Sequence, residues 1–170
     1  MKLTIQAINK LKEKGVIKDY AIGGAVASFF YLEATLTEDL DVFINIEFHE
    51  GGIVTLSSLF KSLAEEGYKE FKKQGLVIDG WPVQFLPVTT NLEKEALEKA
   101  RPEVIEGQPV RVFSAEYLMA LCINVGRPKD KIRLEQFIKE KCYKEAVFMD
   151  IISRHNLTVK YEKIKKLIEV

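Results

Sequence analysis

Asp39 and Asp41 stand one residue apart at the head of an apolar run, Asp39-Leu40-Asp41-Val42-Phe43-Ile44-Asn45-Ile46. The run predicts a strand over 39–46, and residues i and i+2 of a strand share a face. Their Cα atoms would lie on the order of 6.5–7 Å apart, from the strand rise. Two carboxylates so placed can share divalent cations, which take hard oxygen ligands. Leu40 and Val42 would face the other way, into the core. The alternative is a pair of solvent-facing residues on an edge strand, although Asp is disfavoured in strands.

Gly23-Gly24 is the second chemical signal. It follows a short apolar run, Tyr20-Ala21-Ile22, and opens an apolar segment, Ala25 to Leu32, that reads as a buried helix. A helix N-terminus presents free N–H groups to an anion, and glycine lets a phosphate approach the backbone closely. No GxxxxGK[ST] run occurs, so this is not a P-loop. A glycine turn followed by Asp-apolar-Asp would put a phosphate cradle and a cation pair at the same end of neighbouring strands. Nucleotidyl transfer needs that arrangement: Mg²⁺ bridges triphosphate oxygens, activates the attacking hydroxyl and stabilises the departing pyrophosphate.

The surrounding elements are expected to alternate. Leu3, Ile5, Ile8 and Leu11, with lysines between, predict an amphipathic helix ending at Gly15. Thr55 to Glu66 reads as a helix with Leu56, Leu59, Phe60 and Leu63 on one face. Asp79-Gly80 between Leu76-Val77-Ile78 and Val83-Gln84-Phe85-Leu86 predicts a hairpin. Thr90-Asn91-Leu92-Glu93 has capping-box form and starts a helix through Ala100. A second hairpin is expected about Glu106-Gly107-Gln108, between Val104-Ile105 and Val110-Arg111-Val112. Helices are expected near 114–124, 128–140, 144–154 and 158–168, with Pro128 and Asn156 as punctuation. The fold class is therefore α+β, with a mixed core over 1–113 and a helical part over 114–170.

Composition sets limits. Among 170 residues, 47% are apolar, enough for a packed core, and Lys+Arg and Asp+Glu balance at 25 each. A broad electrostatic footprint for nucleic acid is thus absent, and an RNA acceptor would need a local basic patch. Cys122 and Cys142 form no metal motif, so two reduced thiols are expected. The start, Met1-Lys2-Leu3-Thr4-Ile5, does not read as a signal peptide, and no apolar run is long enough to span a bilayer. A cytoplasmic protein is expected. His49 and His155, far apart, make a histidine metal site or a Ser/His/Asp set improbable. Trp81 and Tyr68 read as packing residues, and the Lys160–Lys166 run as the solvated face of a last helix.

Tyr20-Ala-Ile-Gly-Gly-Ala followed by Thr37-Glu-Asp-Leu-Asp-Val42 resembles the signature of the polymerase-beta-like nucleotidyltransferase superfamily. With Tyr117-Leu-Met-Ala-Leu-Cys and Gly126-Arg-Pro-Lys-Asp-Lys131, it is similar to the stand-alone enzymes related to AbiEii-type toxins of toxin–antitoxin systems. The resemblance covers roughly residues 18–140. It implies a nucleotidyltransferase core, a mixed sheet flanked by helices. It implies that Gly23 and Gly24 match the glycine motif, and that Asp39 and Asp41 are the catalytic, metal-binding aspartates for Mg²⁺ or Mn²⁺. It further implies that Lys129 and Asp130 match a Lys-Asp motif that approaches the nucleotide. Arg127, Lys131 and Arg133 would extend that patch; the alternative is a solvated helix start. The implied reaction moves a nucleoside monophosphate from an NTP to a hydroxyl on tRNA or protein, with an antitoxin as a partner.

Two departures stand out. Many superfamily members carry a third carboxylate on a later strand, and here that place is Gln84, which cannot act as a general base. Asp79 would lie at the far end of that strand. The interval between the glycines and Asp39 is also long. A second reading follows: a catalytically degenerate member of the fold that binds a nucleotide or a partner protein. A weaker third is a structural or antitoxin-interacting module.

Overall fold

A computed structural model describes residues 1–33, 37–45, 48–49, 52–53 and 56–168. Ile46 of the expected strand and Thr55 of the expected helix lie outside them.

Helix α1 (Lys2–Glu13) buries Thr4, Ile5, Ala7, Ile8 and Leu11. Leu3, expected on that face, is exposed, and Thr4 takes the inward place, its hydroxyl donating to the Ile78 carbonyl at 3.0 Å. The helical period puts residues 4, 5, 8 and 11 on one stripe and leaves 3 beside it.

Strand β1 (Asp19–Ile22) leads through Gly23 into α2 (Gly24–Ser28). The helix is shorter than the expected 25–32. Beyond it the chain tightens into i→i−3 bonds, Phe29 to Val26, Phe30 to Ala27 and Tyr31 to Ser28, and the Ser28 hydroxyl donates back to the Gly24 carbonyl at 2.8 Å. Such bonds end a helix early. Strand β2 (Leu40–Asn45) buries Leu40, Val42 and Ile44 and leaves Asp41, Phe43 and Asn45 half-exposed on the other face. Asp39 precedes the strand by one residue rather than opening it. A small separate ribbon, β3 (Phe48–His49) with β4 (Gly52–Ile53), follows.

Helix α3 (Leu56–Glu65) buries Leu59 and Leu63. The unforeseen strand β5 (Phe71–Lys72) then precedes the expected hairpin of β6 (Gly75–Ile78) and β7 (Trp81–Pro87). Asp79 and Gly80 both have positive φ, 48° and 84°, as a two-residue turn of mirror-image type requires. Helix α4 (Asn91–Glu98) begins with the capping box: Thr90 accepts from the Glu93 N–H, and Glu93 accepts from the Thr90 N–H. The second hairpin, β8 (Arg101–Ile105) with β9 (Gln108–Val112), turns on Glu106-Gly107 alone. Four helices complete the chain: α5 (Ala115–Val125), α6 (Pro128–Glu140), α7 (Glu145–Arg154) and α8 (Thr158–Leu167).

The main sheet has seven strands in the order β5-β6-β7-β2-β1-β9-β8. β1 is antiparallel to β2 and parallel to β9, while β2 is parallel to β7. The sheet is thus mixed and is flanked by eight helices among the described residues. Because β1 and β2 are antiparallel, the C-terminal end of β1 and the N-terminal end of β2 meet. Parallel pairing of β2 with β7 sets Gln84 opposite Asp41. Helices α2 and α4 pack against β2, and α5 packs against α2, α4 and the three later helices.

Candidate active site

At the meeting of β1 and β2 the Gly23 N–H donates to the Asp41 carbonyl at 3.0 Å. A Cβ on Gly23 would lie 2.5 Å from the Phe43 ring. Gly24 has φ +58°, and a Cβ there would lie 1.9 Å from Asp41 Oδ2. The glycine bend therefore has a direct steric reason: it admits the Asp41 carboxylate. With α2 only five residues long, close approach to the bend matters more here than the dipole of a long helix.

Asp39 points to the neighbouring strand. Its Oδ2 accepts from Gln84 Nε2 at 2.6 Å, and the Thr37 hydroxyl donates to its main-chain carbonyl at 3.1 Å. The aspartates and Gln84 therefore stand together at one end of β2 and β7. Asp79 does not join them; it sits at the hairpin turn and accepts from the Tyr68 hydroxyl at 2.9 Å. Burial raises the Asp41 carboxyl above its ordinary value, and the charge of Asp39 adds to this; Lys129, Arg127 and Arg133 act in the opposite direction.

Asp39 and Asp41 open onto a cleft of about 410 Å³. Arg127, Lys129, Arg133 and Gln136 of the α6 region line it, with Glu38 and Lys73 at its other side. Lys129, Ile132, Arg133 and Gln136 follow helical spacing along one face of α6, and Lys131 is absent from that face. Asp130 is buried; its two oxygens accept from Arg127 Nε at 2.8 Å and Nη2 at 3.1 Å, and Oδ2 also accepts the Arg127 main-chain N–H. Asp130 thus grips the guanidinium instead of presenting a free carboxylate.

Lys73, which pairs with Glu38, was not foreseen. The only sequence signal was a short polar run, Lys72-Lys73-Gln74, before the apolar strand β6. Cys122 and Cys142 are free thiols, and burial pushes Cys122 up to about 12. His155 bonds Glu95 at 2.7 Å, away from the aspartates. Among the described residues no group of three or more His, Cys, Asp or Glu gathers as a metal site, so the acids form a pair. No helix among the described residues is long and apolar enough to cross a membrane.

The mixed seven-stranded sheet flanked by helices is a nucleotidyltransferase-type fold. Two solved structures share it. An antigenic nucleotidyltransferase-like protein from Paracoccidioides brasiliensis is 16% identical, over 99% of this chain and 91% of its own, with a TM-score of 0.56. The solution structure of the antibiotic-resistance factor ANT(2'')-Ia is 17% identical, over 97% of this chain and 95% of its own, with a TM-score of 0.53. Likeness at such identity establishes the fold, and the reaction has to be argued from the site. No family model and no curated protein matches the sequence.

Proposed function

We propose that this chain transfers a nucleoside monophosphate from an NTP to a hydroxyl acceptor, with Mg²⁺ or Mn²⁺ held by Asp39 and Asp41. The observation that carries the reading is the contact of Asp41 with the Gly24 bend, at the edge of a cleft that gathers Arg127, Lys129 and Arg133. The donor set fits the ion: Mg²⁺ takes one or two carboxylates and completes its shell with substrate phosphates and water. Such an ion would offset phosphate charge and ease ionisation of the attacking hydroxyl.

The chain's own groups divide the remaining work. Gly24 keeps a side chain out of the space that the Asp41 carboxylate takes, and Gly23 out of that of the Phe43 ring. Lys129 offsets triphosphate charge as a mobile cation. Arg127 offers a rigid fork, and Asp130 acts through it as a positioning residue. The likeness of the motifs to AbiEii-type toxins makes tRNA and protein hydroxyls acceptors to assay, and an antitoxin a partner to seek.

Incubation with labelled NTPs, Mg²⁺ and total tRNA or protein tests the reading. Label transfer is expected, and its survival in the Asp39→Ala/Asp41→Ala double variant would remove the mechanism. The hydrogen bond from Gln84 to Asp39 favours a second reading, since it occupies a ligand oxygen and brings no base. In that case the fold binds a nucleotide or a partner protein without turnover. Calorimetry showing NTP–Mg²⁺ binding with no pyrophosphate release would support it.

A further inference from the structure

Beside the cation-lined cleft lies a second cavity of about 360 Å³. The two share Asp41, Arg127 and Arg133 as a common wall. Beyond it the surroundings become apolar: Phe43 of β2, Leu86 and Pro87 of β7, and Leu118, Leu121 and Val125 of α5. Gln84 also borders it. The other acids on its walls are already engaged. Glu93 accepts the Thr89 and Thr90 N–H groups, each at 2.9 Å, and Asp130 holds Arg127. What remains is a chamber in which these apolar side chains share the lining with the amides Gln74 and Gln84 and with the charged groups of the common wall.

Such a chamber suits a ring better than a polynucleotide strand. RNA binding rests on cations that follow phosphates and on open stacking platforms, whereas a half-open cavity of this size with mixed apolar and polar walls suits a compact ligand. The chemistry narrows the choice. The residue opposite Asp41 is an amide and cannot take a proton. With no base opposite Asp41 and only a cation to help, the acceptor that gains most is a hydroxyl that ionises readily. A tyrosine-type phenol ionises near pH 10 (about 10 in model peptides), and alkyl and ribose hydroxyls are far weaker acids.

We propose that the second cavity holds the acceptor, and that the acceptor is a phenolic hydroxyl, carried by a free small phenol or by a tyrosine side chain. This rests on the nucleotidyl-transfer reading. The phenolic oxygen bonds to the α-phosphorus. The bond from that phosphorus to the oxygen bridging the β-phosphate breaks, its electron pair leaves on pyrophosphate, and the phenolic proton passes to water. The products are an aryl ester of the nucleoside monophosphate and pyrophosphate.

The full chain is titrated with 2-naphthol by fluorescence and with ATP–Mg²⁺ by calorimetry, then assayed with α-labelled ATP. Leu121→Glu and Val125→Glu each put a charge into the chamber; Val125 is 52% exposed, so its variant tests the site even if the other fails to fold. A charge on the chamber wall in place of an apolar contact should weaken 2-naphthol binding by about ten-fold and leave ATP–Mg²⁺ affinity within about two-fold. Label should pass to 2-naphthol or to N-acetyl-tyrosinamide in preference to total tRNA, and the faster of the two identifies the source. Joint loss of ATP–Mg²⁺ and 2-naphthol binding would make the chamber the nucleoside's pocket and overturn the proposal. Label on tRNA alone would overturn it too. A parent chain that releases pyrophosphate yet ignores both phenols sinks only this inference, whereas one that binds 2-naphthol but not ATP–Mg²⁺ sinks the transfer reading and the acceptor role with it.

Discussion

Two carboxylates, Glu95 and Asp41, sit in opposite electrostatic circumstances. Glu95 on α4 accepts from Tyr117 at 2.7 Å, from both Arg154 terminal nitrogens at 2.7 and 2.8 Å, and bonds His155 at 2.7 Å. Those partners, Arg154 foremost, hold its carboxyl down at about 2. It joins α4 to α5 and α7. Asp41 is pressed against Gly24, shares its end of the sheet with Asp39, and is shifted up by burial. Among the described residues no hydrogen bond reaches its side chain. A satisfied carboxylate stabilises the fold, whereas one held buried beside a like charge costs stability, as groups at functional sites often do.

The sharpest way to break this contrast is Asp41→Asn. Transfer activity should fall by at least about a hundred-fold, since charge stabilisation at such a site is worth several kcal/mol. Melting temperature should hold or rise, because like-charge repulsion and the burial penalty both vanish. A clear drop in thermal stability would mean that Asp41 is a structural group like Glu95.

Gly24→Ala should destabilise by about 1–2 kcal/mol from its left-handed backbone alone, with further loss as the methyl displaces the Asp41 carboxylate. Denaturant titration reads the first effect, and metal-dependent NTP binding reads the second. Glu95→Gln should cost about 1–2 kcal/mol, because Arg154 loses a counter-charge and the geometry around the Tyr117 hydroxyl changes. The same group makes a pH prediction. Its carboxyl is held at about 2 against an ordinary 4.5, so its stabilisation is complete above about 4.5 and is lost as the pH falls toward 2. Unfolding free energies measured at pH 7, 4 and 3 should decline less steeply in Glu95→Gln than in the parent. The smallest effect belongs to the lysines of α6. Lys129→Ala should raise KM for the NTP about five-fold, the equivalent of an exposed ion pair, while Lys131→Ala, absent from the cleft face, should leave it unchanged.

Much of the local structure was legible because its causes are local. Asp79-Gly80 turns a hairpin through its positive φ angles, and Thr90 with Glu93 caps α4 through bonds spanning three residues. Apolar periodicity located α1, α3 and the late helices. Where local cues were weaker the reading slipped. The segment Ala25 to Leu32 is apolar enough for a longer helix, but the bonds after Ser28 tighten and end it. Strand β5 is two residues long and carries no period to detect. The resemblance implied that Asp130 belongs to a motif approaching the nucleotide; that it is buried and bonded to Arg127 is set by packing that a linear charge pattern does not reveal.

The order of residues alone determined which short segments could bend, pair or coil, since backbone sterics and side-chain period act within a few positions. It also put a packing face on β2 and Asp41 on the opposite one. Only the tertiary structure decided who meets across the sheet: Gln84 beside Asp39, Lys73 beside Glu38, and the wall that divides a charged cleft from the second chamber. Those meetings depend on strand order and register, which arise from burying the whole apolar surface at once and leave no mark at any single position.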